Sequence, residues 1–399
     1  MAAPEAQSLR RVLWEIRRRD GAARVEIAAA TGLSPATVTS LTAELKGAGL
    51  IEEAAAETPE TTGRGRPRVA LRVRGGAAHV AGAKLSDRMV TVAILDFAGA
   101  VLATAEAELG ARRPTVAGML RALDAALAAA LAEARLRERD LAALGLGAPG
   151  FVEGATGRCL WSPVLADPAP IDLLAPLQAR FACPVFVDND ANLACLAELW
   201  FGLGRGLSDF LVVTIEHGVG MGAVIGGELF RGARGVGAEF GHIKVQNDGA
   251  LCRCGQRGCL EAYVADYAVA REAATALGAE PGEAGLLERL EAAARDGNGA
   301  AAAIFGRAGR MLGLGLANLV NLFDPPLVIL SGESLAHAPL FAATMQRTLE
   351  ANILPLDRPA PRIETHRWGD ALWARGAGAL ALDGITPELA AAARPAAAS

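Results

Sequence analysis

The sequence predicts a small winged helix-turn-helix domain at the N-terminus and a larger α/β body after it. Two observations indicate the small domain: helical segments around a glycine-containing turn, and a basic segment between two short strands. The third observation is the alternation of strands and helices from about residue 76 onward, which is typical of a mixed sheet covered by helices. With 399 residues, the chain is long enough for two or three domains with hydrophobic cores.

Three helices are predicted in the N-terminal domain. The first covers residues 8–19, and its apolar residues recur at helical spacing: Leu9, Val12, Leu13 and Ile16. The second covers residues 25–31 and ends at Gly32. Ser34 then caps a third helix, in which Pro35 takes the first helical position. The second and third helices therefore form a helix-turn-helix unit.

The third helix is expected to enter the major groove of double-stranded DNA, because the recognition helix of such a unit turns its early residues toward the base edges. Small or hydroxylated side chains at these positions permit a close approach, and the candidates are Ser34, Ala36, Thr37, Thr39 and Ser40. The apolar residues of the same helix are expected to face the core: Val38, Leu41 and Leu45.

A basic segment at residues 63–68, between strands predicted near residues 50 and 70, indicates the wing. Arginines flanked by glycine can enter a narrow minor groove, so Arg64, Arg66 and Arg68 are further candidates for DNA contact. The alternative is a solvated linker that happens to be basic. The first 74 residues carry a net charge of +3 and the rest of the chain −8, which favours a polyanionic partner for this domain only.

The body should contain buried strands and strongly apolar helices. The predicted strands are residues 79–85, 89–97, 141–146, 184–188 and 210–215, and the predicted helices are residues 115–134, 191–201 and 302–322. The first residues lack the features of a secretory signal, and no apolar run is long enough to cross a bilayer. We therefore expect a cytoplasmic protein without a membrane partner.

One short segment, residues 237–263, contains four soft metal ligands in a row: His242, Cys252, Cys254 and Cys259. Three thiolates and one imidazole match the donor set of structural zinc sites, and with all four positions filled no catalytic water position remains. The alternative is three buried free thiols and a core histidine. The other three cysteines, Cys159, Cys183 and Cys195, show no paired spacing and are expected to be core thiols of a reducing compartment.

This segment, its Gly-Ala-Glu-Phe-Gly-His run and the Asn-Asp-Ala-Asn run at residues 189–192 resemble the ROK family, whose name stands for repressor, open reading frame, kinase. The resemblance covers nearly the whole chain. It implies a two-lobed body of the actin and hexokinase type, with a sugar in the cleft. The implied domains are residues 1–75 for the winged helix, 76–190 with 366–389 for the first lobe, 191–365 for the second lobe, and 390–399 for a disordered tail.

The resemblance also implies sugar-binding residues. In the kinases of the family, the residue that matches Asp190 takes a proton from the attacking sugar hydroxyl, but a carboxylate at this position can equally anchor a sugar without chemistry. By the same implication, hydrogen bonds to sugar hydroxyls would come from Asn189, Asp190, Glu239, His242 and Glu261. His242 can serve both metal and sugar only because its ring has two nitrogens.

The phosphate-binding turns depart from the pattern of the kinases. Where those enzymes have an acidic, glycine-rich turn, this chain has Lys84 followed by Leu-Ser-Asp-Arg, and Glu216 and His217 begin the second turn. The turn that binds adenosine in the kinases, near Gly332 in this chain, also matches the family pattern poorly. On the sugar side, Val164 stands where the kinases commonly have a sugar-binding asparagine. A carboxylate where a phosphate should lie would repel it. Asp190 is therefore expected to be a vestige of catalysis.

Family members with a winged helix are mostly transcriptional repressors. The sequence therefore predicts a sugar-responsive transcriptional regulator, not an enzyme, that binds an operator as a homodimer or homotetramer with structural zinc. The first alternative is an ATP-dependent sugar kinase with an added DNA-binding domain. The second is a DNA-binding or partner-docking protein that responds to no ligand.

Overall fold

The computed structural model describes residues 4–19, 21–54, 69–111, 113–280, 282–357, 359–366 and 371–392. The chain divides into two compact units. The first consists of Met1–Asn189 and Trp373–Ser399, and the second is Asp190–Leu372. The sequence placed the two divisions near residues 190 and 365, so the second division lies several residues later than expected.

The N-terminal part of the first unit is a winged helix-turn-helix, as predicted. Its elements are α1 (Pro4–Arg19), β1 (Ala22–Ala23), α2 (Arg24–Thr31), α3 (Pro35–Gly47), β2 (Ile51–Ala54) and β3 (Ala70–Val73). The three strands form an antiparallel sheet in the order β1-β3-β2. The helices enclose an apolar core that includes Leu13, Ile16, Ile27 and Leu45, each no more than 1% exposed. The wing tip, with Arg64, Arg66 and Arg68, lies outside the described residues.

Helix α1 is joined to the body through Arg17. Its Nη2 donates a hydrogen bond of 2.8 Å to the carbonyl oxygen of Phe97, and its guanidinium lies 5.1 Å from the centre of the Phe97 ring. Burial lowers the pKa of Arg17 to about 10, while the negative charges of Asp383 and Asp96 oppose this shift. The amide of Phe97 donates to the carbonyl oxygen of Gly75 in the connecting segment. The winged helix-turn-helix is therefore held against the first lobe through Arg17, and Arg10 of the same helix adds an ion pair of 3.9 Å to Asp383.

The first lobe is built on a five-stranded mixed sheet. Its elements are β4 (His79–Leu85), β5 (Met89–Asp96), β6 (Val101–Glu108), α4 (Val116–Ala134), β7 (Leu141–Ala148), β8 (Phe151–Glu153), β9 (Arg158–Trp161), β10 (Ile171–Asp172), α5 (Leu174–Arg180) and β11 (Val185–Asn189). The large sheet has the order β11-β7-β4-β5-β6, with parallel pairing between β4, β7 and β11. The strands β8, β9 and β10 form a small separate sheet.

The second unit repeats this plan with another five-stranded sheet. Its elements are α6 (Asp190–Phe201), β12 (Phe210–Ile215), β13 (Val219–Ile225), β14 (Glu228–Leu229), α7 (Glu261–Val264), α8 (Asp266–Leu277), α9 (Leu286–Arg295), α10 (Gly299–Phe323), β15 (Leu327–Ser331), α11 (Ala338–Asn352) and β16 (Arg362–Thr365). The sheet has the order β14-β13-β12-β15-β16. Helices α10 and α11 pack on each other, and Gly309 and Gly313 permit their close approach, since a Cβ there would lie 2.4–2.6 Å from backbone oxygens of α11.

The last helix, α12 (Ala371–Ala392), returns the chain to the first unit. It packs so closely on the sheet that a Cβ on Gly82 or Gly145 would lie 2.0 Å from one of its carbonyl oxygens. The helix continues through Ala390, which is only 1% exposed. The prediction of a disordered tail from residue 390 is therefore wrong at its start, because this alanine is buried in the helix. Residues 393–399 lie outside the described residues.

Within the part of the chain that the structure describes, no helix is long and apolar enough to cross a membrane. The predicted strands and helices of the body all occur, with ends shifted by a few residues. Helix α6 is buried as expected, since ten of its twelve residues are buried. Helix α10 is buried only in part, with 11 of its 25 residues buried and Leu322 exposed.

Candidate functional site

The four predicted metal ligands lie together in the second unit. Their ligand atoms are all within 4.8 Å of one another. The Sγ atom of Cys252 lies 3.7 Å from Nδ1 of His242, and the Sγ atoms of Cys254 and Cys259 are 3.8 Å apart. Zn–S bonds of about 2.3 Å in a tetrahedron require ligand separations of about this length. The cluster is therefore compatible with a structural metal ion of the zinc type.

The backbone around this cluster is tightly turned. Gly255 and Gly258 adopt φ values of +85° and +77°, which side chains disfavour, and a Cβ on Gly258 would lie 1.8 Å from the carbonyl oxygen of Gln246. Burial raises the pKa of Cys252 to about 12, so a thiolate there requires a neighbouring cation. Lys244 also places its Nζ 3.0 Å from the Sγ atom of Cys259. All six cysteines of the chain are free of disulfides.

The three predicted sugar-binding carboxylates all belong to the second unit. Asp190 begins α6, Glu261 begins α7, and Glu239 precedes a single helical turn over Phe240–His242. Exclusion of water around its carboxyl group raises the pKa of Glu239 to about 8, and the charges of Asp190 and Glu261 act in the same direction. Glu239 keeps a solvent-exposed side, so water screens part of this repulsion.

Glu239 leads to a prediction about pH. Because its pKa is raised in the folded chain, the unfolded chain loses this proton at lower pH, and stability falls as pH rises from about 4.5 to 8. Glu239→Gln removes this dependence. Urea unfolding at pH 5.5 and pH 8 should show that the variant gains stability, relative to the unmodified chain, at the higher pH. The exposed Glu280→Gln in the same unit is the control and should show no such gain. Parallel pH profiles for Glu239→Gln and the unmodified chain would contradict the expectation.

Glu261 is the most enclosed of the carboxylates, with 6% exposure. Its Oε2 accepts a hydrogen bond of 3.2 Å from the backbone N–H of Val219, and its Oε1 lies 3.4 Å from the hydroxyl of Tyr267. Burial lowers the pKa of His242, while the charge of Glu261 opposes this. A neutral imidazole that turns Nδ1 toward the cysteines can offer Nε2 to a second partner.

Asn189 belongs to the first unit, although it is adjacent to Asp190 in the chain. It ends β11, and its side-chain amide donates a hydrogen bond of 2.9 Å to the carbonyl oxygen of Gly150. In the same unit Val164 is buried, at 7% exposure. The nearby Ser162 donates to the carbonyl oxygen of Pro149 and accepts from the amide of Val164. The polar groups of this loop therefore bond largely to the chain itself.

The two altered phosphate turns are occupied by contacts within the chain. Lys84 is 3% exposed, and its Nζ lies 3.9 Å from the centre of the Trp373 ring. In the second turn, the carbonyl oxygen of Glu216 accepts the amide of Asp266, and that of His217 accepts Nη1 of Arg253 at 3.4 Å. A buried cation and a turn bonded to two other segments differ from the open glycine-rich turns that hold a nucleotide.

The predicted DNA-facing residues form the outward side of α3. Ser34 accepts a hydrogen bond of 3.1 Å from the amide of Thr37 and so caps the helix, as predicted. The core residues Val38, Leu41 and Leu45 are at most 5% exposed. The candidates for base contact all lie at the surface: Ser34, Ala36, Thr37, Thr39 and Ser40. Some of their hydroxyls already bond locally, since Oγ1 of Thr39 donates to the carbonyl oxygen of Pro35.

Two contact residues of the site were not predicted from the sequence. Tyr267 reaches both Glu261 and Cys252, and Arg253 stacks on its ring at 3.8 Å from the centre. Arg253 lies between two of the candidate metal ligands, Cys252 and Cys254. This position gave no indication of a contact with an aromatic ring. Tyr267 lies after the segment of residues 237–263, and no sequence pattern indicated a role for it.

A winged helix on a two-lobed body, with a cluster of one histidine and three cysteines, defines a class of DNA-binding proteins related to sugar kinases. The ROK family model matches residues 85–384, and a winged helix-turn-helix DNA-binding model matches residues 6–52. The chain belongs to the ROK family.

Among relatives, the xylose repressor of Caldicellulosiruptor bescii is 28% identical over 337 residues, which cover 82% of this chain and 83% of that protein. The transcriptional dual regulator NagC of Escherichia coli is 30% identical over 315 residues, or 78% and 76% of the two chains. Both similarities extend over most of each protein.

Two of the solved structures that resemble this chain are a regulator and a kinase. A ROK family transcriptional regulator, a homologue of the Escherichia coli MLC protein, superposes with a TM-score of 0.77 at 25% identity and covers 97% of this chain and 98% of its own. A ROK glucokinase from Streptomyces griseus, in complex with glucose and AMPPNP, has a TM-score of 0.65 at 31% identity and covers 76% and 99%. The likeness to the regulator includes the N-terminal domain, whereas the glucokinase matches a smaller share of this chain.

Proposed function

We propose that this chain is a cytoplasmic repressor that binds an operator through α3 and the wing, and that a bound sugar changes this binding. One observation carries the proposal: a capped recognition helix with an exposed, small and polar outer face is built onto a ROK body. The similarity to the xylose repressor and to NagC over most of the chain supports it. Two half-sites on an operator would require at least a homodimer, and a homotetramer is compatible.

The proposed sugar ligands are Asn189, Asp190, Glu239, His242 and Glu261. Carboxylates suit sugars because each accepts several hydrogen bonds and discriminates against ligands that leave it unpaired. We propose structural zinc at His242, Cys252, Cys254 and Cys259, because their donor chemistry and spacing fit it. The ion would fix the loop that precedes Glu261 and would supply no chemistry of its own.

Sugar binding would change the relative populations of two conformations of the body. Only one of these conformations would hold the DNA-binding domains at the spacing of the operator half-sites. The contact of Arg17 with Phe97 supports a direct mechanical connection, because it ties α1 of the DNA-binding domain to the first lobe.

Footprinting of the DNA upstream of the protein's own gene tests this function. We expect two protected half-sites without sugar, and release or tightening with one of glucose, xylose or N-acetylglucosamine. Protection that none of these sugars changes would contradict the sugar response, and an absence of protection would contradict the DNA-binding role.

A sugar kinase is the second candidate function, because Asp190 is present at the start of α6 and the glucokinase of Streptomyces griseus is similar. Because Lys84 is buried and the turn at Glu216 is hydrogen-bonded to Asp266, we expect no phosphoryl transfer. We propose that the chain is not an enzyme. Measurement of ATP consumption with a hexose panel should give the background rate, and turnover that disappears in Asp190→Ala would overturn this proposal.

A further inference from the structure

Tyr267, on α8, lies within reach of the metal site and the sugar site at once. Its hydroxyl oxygen is 3.4 Å from Oε1 of Glu261 and 3.7 Å from the Sγ atom of Cys252. The same oxygen accepts the backbone N–H of Arg253 at 3.4 Å. The guanidinium of Arg253 lies over the ring, 3.8 Å from its centre, and therefore holds the ring from one face.

The direction of the hydroxyl proton follows from these contacts. Because the amide of Arg253 donates to the oxygen, the proton points toward one of the two acceptors, Glu261 or Cys252. A thiolate that shares its charge with a metal cation is a weaker acceptor than an ionised carboxylate. With a metal ion at the cysteines, Tyr267 is therefore expected to donate to Glu261.

Glu261 is then fixed at both of its oxygens. Its Oε2 accepts the amide of Val219 at 3.2 Å, and its Oε1 accepts Tyr267. A carboxylate held at two points has a defined plane, and each oxygen retains a second lone pair for a ligand hydroxyl. At 6% exposure, little of the group is open to water, so the loss of one donor is not readily replaced by solvent.

We propose that Tyr267 is a positioning residue of the sugar site, which orients Glu261 for the ligand and links this orientation to Cys252 of the metal site. The inference rests on the proposed sugar-binding function. Arg253 completes the arrangement, since it holds the tyrosine ring and donates to the carbonyl oxygen of His217. One side chain would thus connect the metal loop, the sugar carboxylate and the turn at residues 216–219.

The chain offers a matched control, because it has two tyrosines and both lie beside this site. The hydroxyl of Tyr263 accepts the backbone amide of Ala250 in the metal loop at 2.7 Å. Tyr263→Phe therefore removes a contact that stabilises the loop, whereas Tyr267→Phe removes a contact to a sugar ligand. Both substitutions delete a single oxygen.

The test is calorimetric titration of the full-length chain and both variants with glucose, xylose and N-acetylglucosamine, together with zinc content and unfolding temperature. Tyr267→Phe is expected to weaken binding of the recognised sugar about tenfold, because hydrogen bonds to ionised groups are among the stronger ones, with zinc content unchanged. Tyr263→Phe is expected to lower the unfolding temperature and leave sugar affinity within about twofold.

Equal sugar affinity in Tyr267→Phe and the unmodified chain would overturn this inference alone. Weaker binding in Tyr267→Phe that is accompanied by loss of zinc would also overturn it, because the tyrosine would then serve the fold and not the ligand. If the unmodified chain binds none of the three sugars, the proposed function and this inference both fail.

Discussion

Ala36→Glu is expected to lower the affinity for operator DNA about a hundredfold, because a negative charge placed against DNA costs several kcal/mol. Ala36 is exposed in the first turn of α3, among the candidates for base contact. The substitution should not unfold the domain, since an acidic residue in the first turn is favourable to a helix. An electrophoretic mobility shift or fluorescence anisotropy assay with the operator fragment measures the effect.

The matched control is Ala129→Glu, which introduces the same charge at an exposed position of α4 in the body. Its DNA affinity should remain within about twofold of the unmodified chain, because salt screens single exposed charges that lie far from the contact. Equal losses in the two variants would show that net charge, and not the position of α3, governs binding. Unchanged affinity in Ala36→Glu would place the DNA contact elsewhere.

Cys252→Ser is expected to reduce bound zinc well below one ion per chain and to lower the unfolding temperature by roughly 10 °C, since a ligand of a structural ion contributes several kcal/mol. Sugar binding should be lost with it, because Cys252 contacts both His242 and the network of Glu261. Metal analysis, thermal unfolding and calorimetric titration measure the three effects.

Cys183→Ser provides the comparison, because this thiol is partly buried in the first unit and lies outside the metal cluster. It should retain full zinc content and an unfolding temperature within about 2 °C of the unmodified chain. The proposed metal site would be contradicted if the unmodified chain contained no zinc and Cys252→Ser were as stable as the unmodified chain.

The winged helix and the metal cluster could be predicted because their signals are local. Ser34 and Pro35 define the start of α3 within two residues, and the four metal ligands lie within one short segment. The buried and exposed side chains of α3 could also be predicted, because the helical period determines which of them face the core.

The contacts that connect the parts could not be predicted, because they join residues distant in sequence without a compositional signal. Arg17 meets Phe97 across 80 residues, and Tyr267 meets Cys252 across 15. Burial of Lys84 against Trp373 likewise depends on the return of α12 to the first unit. The helical state of Ala390 was missed because alanine-rich composition is compatible with both disorder and a buried helix.

Reciprocal binding experiments measure most directly whether this chain couples sugar binding to DNA binding. Calorimetry would give the affinity of the recognised sugar for the full-length protein alone and for the protein saturated with operator duplex. We expect the two affinities to differ at least about fivefold, and by the same factor by which the sugar changes DNA affinity. Identical sugar affinities with and without DNA would contradict this coupling.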